Sequence, residues 1–240
     1  VSMLTSMMDI FLRRPFRRLF SKPPDDPMQI AYPELTHRGA IIIMHLPVKE
    51  FAEAGRAVQV AYKYIWQQAA ERRKIIPGET IPVFLWADEA QNFVTDYDMH
   101  FQATARSSMA CTVYLTQNMP NYYAELGGEA GKNRVDSLVG NLQTKIFHAN
   151  SDHVTNEFAS NTIAKAWLTK TDETYSMNEG GFSFSEANHS VFEYDVIPQQ
   201  FTTLKKGGWA NDRLVEGIVF QNGRKWRNGK THLLAGFKQQ

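Results

Sequence analysis

The sequence predicts an α/β protein whose core is a mostly parallel sheet flanked by helices. Short, continuous apolar runs recur along the chain, and such runs are typical of strands buried on both faces of a parallel sheet. They alternate with longer segments whose apolar residues recur every three or four positions, which is typical of amphipathic helices. Strands that alternate with helices form parallel sheets with right-handed crossovers. The 240 residues are enough for one such domain with a small appendage.

Each of four predicted strands precedes a helical segment. The strands are expected at residues 40–46, 82–87, 111–115 and 145–149. The helices are expected at 49–73, 97–108, 120–142 and 152–162, with a break in the third near Gly127-Gly128. The carboxyl ends of the strands should therefore meet at one edge of the sheet, where ligands of open α/β sheets bind.

Three regions follow from these patterns: a basic N-terminal arm and linker at 1–38, the α/β core at 39–170, and a C-terminal loop or hairpin extension of the same domain at 171–240. The arginines of the arm indicate a solvated face or a contact to phosphate or lipid. Residues 171–190 are rich in Ser, Gly, Asn and Phe and predict a flexible loop or a hairpin.

A small antiparallel element is expected near the C-terminus. Asn222-Gly223 is a typical two-residue hairpin turn, and it lies between apolar residues 218–220 and residues 225–227. Residues 233–237 would supply a final edge strand.

Composition excludes several classes of protein. Hydrophobic residues make up 43% and charged residues 21%, which is ordinary for a globular chain and unlike a disordered one. No apolar run approaches the ~20 residues of a spanning helix. The net charge of +1 gives no global attraction to nucleic acid. The single Cys111 cannot form a disulfide within the chain, and a buried, inert thiol in a reducing compartment is expected.

The strongest chemical motif is an acidic pair, Asp88-Glu89, directly after the apolar run 82–87. ATP hydrolysis needs a metal near the β- and γ-phosphates and a group that orients the attacking water. In this interpretation Asp88 holds Mg²⁺, through water, and Glu89 polarises the nucleophilic water. The alternative is an acidic N-cap for the following helix, which needs no nucleotide.

Two further residues are candidates for the same site. Gln117 follows the next strand, so a parallel sheet would place it at the same edge, within reach of a γ-phosphate. Arg106 ends the intervening helix, where an arginine would point into the site of an adjacent subunit. Taken singly, Gln117 also fits the start of a loop, and Arg106 a surface charge or a partner of the helix dipole.

The phosphate-binding motif of such ATPases is absent from the sequence. G-x-x-x-x-G-K-[ST] occurs nowhere, and the glycine pairs of the chain lack its spacing. No H-E-x-x-H, Cys/His metal spacing or G-x-S-x-G is present either. This chain alone is therefore expected to hydrolyse ATP poorly.

Several segments, in order along the chain, resemble the conjugative coupling ATPases of type IV secretion systems. These are the TraG/TraD-type proteins, whose later part carries a TraM recognition region. The segments are 4–9, 43–57, 83–93, 115–117, 142–147 and 204–237. The resemblance covers nearly the whole chain.

The resemblance implies a RecA-like P-loop NTPase core that is incomplete, because the Walker A strand is missing. It implies ATP and Mg²⁺ as cofactors of the full-length protein, with Asp88 and Glu89 as the Walker B pair and Gln117 as the strand-end glutamine. Arg106 corresponds to the inter-subunit arginine, with Arg134 as a competitor.

The resemblance also implies partners and a location. The full-length protein would form a homo-hexameric ring at the cytoplasmic face of the inner membrane. It would pass single-stranded or relaxase-bound DNA to the type IV secretion channel and bind a relaxosome accessory protein. The missing strand predicts either a fragment or a split homologue.

The sequence is also compatible with two alternative functions. One is a non-catalytic docking or TraM-recognition module that binds a relaxosome or secretion partner without ATP turnover. The other is a chromosome-partitioning or packaging motor. The basic arm and the aromatic-rich segment 182–194 are candidate DNA contacts, although hairpin packing is the preferred interpretation of those aromatic residues.

Overall fold

The computed structural model describes residues 32–178 and 181–239, together with residues 9, 12, 16 and 17. Most of the predicted basic arm lies outside the described residues, so its role stays a prediction. The chain divides into two compact units, Val1–Gln117 with Asn121–Leu142, and Asn118–Pro120 with Gln143–Gln240. The predicted boundary after residue 170 falls inside a strand, whereas the units divide after residue 142.

The helices and strands lie close to the predicted ones over most of the chain. In chain order they are a 3₁₀ helix at Pro33–Arg38, α1 (Val48–Arg72), β1 (Val83–Ala87), α2 (Asp96–Thr104), β2 (Ala110–Tyr114), α3 (Met119–Leu126), α4 (Gly128–Asn141), β3 (Thr144–His148), α5 (His153–Ile163), β4 (Lys165–Asn178), β5 (Gly181–Tyr194), β6 (Leu214–Gln221) and β7 (His232–Lys238). Short 3₁₀ helices lie at Ala90–Asn92, Pro198–Thr203 and Trp209–Asn211. Helix α1 is interrupted at Ala52, which has a left-handed φ of 42°.

Strands β1 and β2 form the parallel sheet of the first unit. Val83 is paired with Ala110 at one end and Ala87 with Tyr114 at the other. The sheet packs on α1 and α2 through a buried apolar cluster, whose members are Trp66, Ala70, Val83, Phe101, Ala105 and Ala110. This core fixes the two strands in register, so both carboxyl ends lie at the same edge.

The predicted buried strand at 40–46 is wrong. The segment has no regular secondary structure, and Ile41 and Ile43 are 89% and 84% exposed. A strand that is apolar on both faces needs hydrogen-bonded neighbours as well as cover. Among the described residues, β1 pairs only with β2, and residues 40–46 form no ladder with the other edge of β1.

The prediction of a mostly parallel sheet is corrected in the second unit. Strand β3 was expected to extend the parallel sheet, but it pairs antiparallel with β6, and β6 pairs antiparallel with β7. The apolar pattern of β3 could not specify its direction, because its partner lies about 70 residues later in the chain. Ala159 and Ile163 of helix α5 form a buried apolar cluster with Val196, Phe201 and Ile218, and the last of these lies on β6.

Strands β4 and β5 form a long two-stranded ribbon of 14 residues on each side. The hairpin, rather than the flexible loop, is therefore correct for residues 171–190. The second predicted hairpin differs in detail, because residues 222–231 form a loop and β7 pairs with β6. Gly223 adopts a left-handed φ of 72° in that loop, as the Asn-Gly turn predicted.

No helix within the described ranges combines the length and apolar character needed to cross a membrane.

Candidate functional site

The carboxyl edge of the parallel sheet brings three of the predicted residues together. Asp88 and Glu89 follow the last residue of β1, and Gln117 follows β2 by three residues. Leu115 donates its backbone N–H to Ala87 at 3.0 Å, and Ala90 donates to Leu115 at 2.9 Å. These hydrogen bonds continue the ladder past the strand ends, so they fix the distance between the acidic pair and the glutamine.

Glu89 accepts hydrogen bonds from two side-chain amides. Gln117 Nε2 donates to Glu89 Oε1 at 2.9 Å, and Gln91 Nε2 donates to Glu89 Oε2. Thr116 Oγ1 donates in turn to Gln91 Oε1 at 2.8 Å. Because each carboxylate oxygen has its own donor, the orientation of the Glu89 carboxylate is fixed in the sheet edge. A carboxylate fixed in this way suits a role in which it must keep one orientation toward a reacting molecule.

The backbone of Glu89 is held in the left-handed region, with φ 50° and ψ 43°. This conformation costs a non-glycine residue about 1 kcal/mol or more. Its carbonyl accepts from Asn92 at 2.9 Å, which closes the turn. Backbone strain of this kind concentrates at functional sites, where the surrounding structure holds it in place.

Neither acidic residue caps a regular α-helix. Glu89 precedes the 3₁₀ turn Ala90–Asn92 and makes no side-chain capping hydrogen bond. Asp88 is exposed, and its Oδ1 accepts from the backbone N–H of Glu89 at 2.9 Å. The alternative interpretation of the pair as a helix N-cap is therefore wrong.

A buried polar network lies behind the site. Asp98 Oδ2 accepts from Lys63 Nζ, while Asp98 Oδ1 accepts from Tyr114 at 2.6 Å and from Gln67 at 2.8 Å. Burial by itself raises the pKa of the Asp98 carboxyl, but the charge and hydrogen bonds of its partners outweigh burial and hold that pKa below its ordinary value. Lys63 also donates to the carbonyl of Phe93, which ends the turn after Glu89. The network thus ties α1, α2 and β2 to the segment that carries the acidic pair.

The two candidate arginines lie elsewhere. Arg106 is exposed in the turn between α2 and β2, at the amino end of β2 and so at the opposite edge of the sheet from Gln117. The five residues of β2 separate the two by ~15 Å or more. Arg134 lies on α4 and pairs with Asp96 at 2.9 Å. Within one chain, neither is brought to Glu89, so the inter-subunit role of Arg106 stays a prediction.

A cavity of about 880 Å³ opens along the edge of β1 that does not face β2. Residues 39–47 form one wall, and Phe84, Trp86, Asp88 and Glu89 lie on the other. Most of its lining is apolar, and it contains no glycine-rich loop. This lining does not form a phosphate-binding site by itself.

The acidic edge fits part of the predicted cofactor. Mg²⁺ in ATP sites is bound through one or two carboxylates, waters and phosphate oxygens, and Asp88 offers such a carboxylate. The parts of the chain that the structure describes hold no cluster of three or more His, Cys, Asp or Glu residues that would bind a metal without such help. The residues present therefore fit Mg²⁺ that arrives with a nucleotide, and they include no phosphate-binding motif.

Sequence reasoning missed Gln91, Thr116 and the Lys63–Asp98 pair. The pattern Thr95-x-x-Asp98 is a capping-box spacing, and the structure shows that capping box at the start of α2. That spacing could have identified Asp98 as a structural residue. Nothing in the sequence pairs Lys63 with it, because 35 residues separate the two.

Comparison with known proteins gives two findings. The sequence model of a family described as "TraM recognition site of TraD and TraG" matches residues 82–204. The fold is similar to a solved structure titled "Bacterial conjugative coupling protein TrwBdeltaN70. Unbound monoclinic form", with a TM-score of 0.55 and 14% identity over 80% of this chain. The match spans 39% of that longer protein. No curated protein matches the sequence.

Proposed function

The chain belongs to the family described as the TraM recognition site of TraD and TraG, and from this membership we propose that it is the C-terminal portion of an ATP-driven DNA translocase. The translocase is a coupling protein that delivers DNA, or a relaxase bound to DNA, to a type IV secretion channel during conjugation. The observation that carries this proposal is the hydrogen bond from Gln117 to Glu89, because it joins the ends of two parallel strands at the edge where such ATPases act.

Each residue of the edge has a role in this proposal. Glu89 orients the attacking water and accepts its proton, while Gln117 and Gln91 hold the Glu89 carboxylate in position. Asp88 would hold Mg²⁺ through water, and the bound metal would supply neutralisation of the charge on the phosphates. Arg106 is exposed on the opposite edge, where it would act on a neighbouring subunit.

The remaining parts of the proposal concern the assembly. The full-length protein works as a homo-hexameric ring at the cytoplasmic face of the inner membrane. It binds a relaxosome accessory protein together with its DNA substrate. The family membership supports this assignment, and the similar fold is consistent with it.

Substitution of Glu89 tests the proposed chemistry. We expect Glu89→Gln to lower ATP turnover by about 100-fold or more while nucleotide binding is retained, because the amide keeps the shape and loses the base. The assay uses the complete ATPase, meaning this chain together with the polypeptide that supplies the phosphate-binding loop. Turnover is measured by phosphate release and nucleotide binding by calorimetry.

Glu79→Gln is the matched control, since Glu79 is an exposed glutamate in a turn outside the site. It should leave both turnover and binding unchanged. Full turnover by the Glu89→Gln protein would refute the assignment of Glu89 as the base.

A second candidate is a docking module that binds a relaxosome or secretion partner without ATP turnover. It is favoured by the absence of G-x-x-x-x-G-K-[ST] from this sequence and by the recognition site in the family description. Partner binding that is indifferent to MgATP, in a complete protein that hydrolyses no ATP, would support this candidate over the translocase.

A further inference from the structure

The β4–β5 ribbon exposes an apolar face that no described residue covers. Residues that face each other across the two strands share one side of the ribbon. One side therefore carries Trp167 with Phe192, Tyr175 with Phe184, and Met177 with Phe182. All six side chains are at least 50% exposed, and Met177 is 88% exposed. We call this side the aromatic face.

The other side of the ribbon is different. Leu168 and Val191 lie on it near the base and are half-buried. Toward the tip it carries Asp172 with Ala187, and then two small polar pairs, Thr174 with Ser185 and Ser176 with Ser183. The ribbon thus rests on its own unit through one side at the base and leaves the aromatic face to solvent. Apolar patches of this kind mark interaction sites, and isolated two-stranded ribbons are marginally stable in water.

Two clusters of large apolar side chains, most of them aromatic, lie at opposite ends of this face. The distal cluster consists of Tyr175, Met177, Phe182 and Phe184, and the ring centroids of Tyr175 and Phe184 are 5.2 Å apart. The proximal cluster consists of Trp167 and Phe192, whose ring centroids are 5.3 Å apart. Small polar pairs, Thr169 with Ser190 and Thr171 with Asn188, separate them.

The distal end of the ribbon is acidic. Residues 171–178 and 181–188 contain Asp172, Glu173 and Glu186 and no lysine or arginine. Glu173 and Glu186 lie directly opposite each other on the aromatic face, next to the distal cluster. A like-charged pair in this position destabilises the ribbon and repels phosphate. The distal cluster is therefore unsuited to nucleic acid, and it suits a basic surface with exposed apolar groups.

The proximal end of the ribbon has a basic surface with exposed apolar groups. Lys165 lies on the aromatic face beside Trp167, with its Nζ 5.1 Å from the ring centre of Tyr194. The loop 222–231 contains Arg224, Lys225, Arg227 and Lys230 and no carboxylate. Lys230 pairs with Asp195, the residue after β5, and so places this basic loop at the base of the ribbon.

The distal cluster and the basic proximal end of one ribbon are too far apart to contact each other. The distal cluster lies ~40 Å along the ribbon from Asp195, at 3.4 Å per residue over about 12 residues. The complementary surfaces can therefore meet only between molecules. We propose that the distal cluster of one copy packs on the proximal cluster and basic loop of a second copy. Such a contact joins two different surfaces, so it is head-to-tail and can close into a ring.

Site-directed cross-linking tests the contact directly. Cys111 is exposed, so the predicted buried thiol is wrong, and a Cys111→Ser background is needed to remove it. In this background one chain carries Met177→Cys and a second, differently tagged chain carries Thr169→Cys. Both positions lie on the aromatic face, at the distal and proximal ends. A short bismaleimide should link the two chains when they are mixed.

Ser176→Cys is the matched control, because it lies at the same height as Met177 on the opposite side of the ribbon. It should give little product with the Thr169→Cys chain. Equal cross-linking from Met177→Cys and Ser176→Cys would overturn the proposed face.

Sedimentation equilibrium supplies the second measurement. The native chain should self-associate, and Tyr175→Ser combined with Phe184→Ser should raise the dissociation constant about tenfold or more, since buried aromatic anchors dominate interface energies. Thr174→Ala with Ser185→Ala, on the other side, should leave it unchanged. A native chain that stays monomeric at all concentrations, or association indifferent to the aromatic substitutions, would overturn the proposal in favour of a different partner. Neither result depends on ATP turnover, so the proposed function is tested separately.

Discussion

At the scale of single residues, Asp98 is the position that most needs hydrogen-bond and charge partners. Its carboxylate is almost completely buried, with five hydrogen bonds from Lys63, Gln67, Thr95 and Tyr114. A buried charge is tolerated only when it is paired and its remaining lone pairs are satisfied. Asp98 meets both conditions, and through Lys63 it also fixes the carbonyl of Phe93 behind the turn that carries Glu89.

Removal of the cation should therefore be costly. We expect Lys63→Met to lower the free energy of unfolding by about 3–5 kcal/mol, because it leaves the Asp98 carboxylate buried without its counter-charge. Urea denaturation followed by circular dichroism measures the change.

The exposed pair Arg134–Asp96 provides the comparison, since both side chains are largely in water. Arg134→Met should cost less than about 1 kcal/mol. Equal effects of the two substitutions would show that Lys63 does not neutralise a buried charge.

Glu89 shows why the details of the site could not be predicted from the sequence. The order of an apolar run, Asp88-Glu89 and a later Gln117 predicted one sheet edge, and Glu89 and Gln117 are hydrogen-bonded there. The left-handed backbone of Glu89 and the role of Gln91 follow from the turn that closes after β1. That turn depends on tertiary hydrogen bonds to Leu115, which no local pattern encodes.

At the scale of elements, helices were easier to predict than sheets. The periodicity over 49–73 and the break near Gly127-Gly128 gave α1, α3 and α4 nearly residue for residue. Apolar runs gave the strands β1, β2 and β3 but not their partners. Strand pairing depends on contacts far apart in sequence, so the antiparallel partner of β3 and the unpaired segment 40–46 were both mispredicted.

Close approach between β3 and β6 explains one glycine and yields a prediction. A Cβ on Gly217 would lie 3.0 Å from the ring of His148 and 3.2 Å from Ile146 Cγ2. We expect Gly217→Ala to lower the free energy of unfolding by about 1–3 kcal/mol, because the facing strand must shift to make room. Chemical denaturation measures the effect.

Gly140→Ala is the matched control, since a Cβ there meets nothing within 4 Å and the residue lies in α4. It should raise stability by up to about 1 kcal/mol, as alanine favours a helix over glycine. A destabilisation equal to that of Gly217→Ala would remove the steric explanation.

At the scale of the whole molecule, our proposal assigns one half of a nucleotide site to this chain. The carboxylates and the glutamine lie at one sheet edge, while the sequence contains no phosphate-binding loop. The similar coupling protein of known structure is more than twice as long as the portion matched here. In our proposal the remaining half comes from residues outside this sequence, and the ribbon joins copies of the chain to one another.

The central claim is that Glu89 and Gln117 act as one unit in ATP hydrolysis, and a double-mutant cycle tests it most directly. ATP turnover of the complete ATPase is measured for Glu89→Gln, Gln117→Ala and the double variant. Residues that act as a unit are strongly non-additive, so the double variant should be about as slow as Glu89→Gln alone. Two independent residues would instead give a double variant whose loss of ATP turnover is the product of the two single losses. That result would contradict the claim.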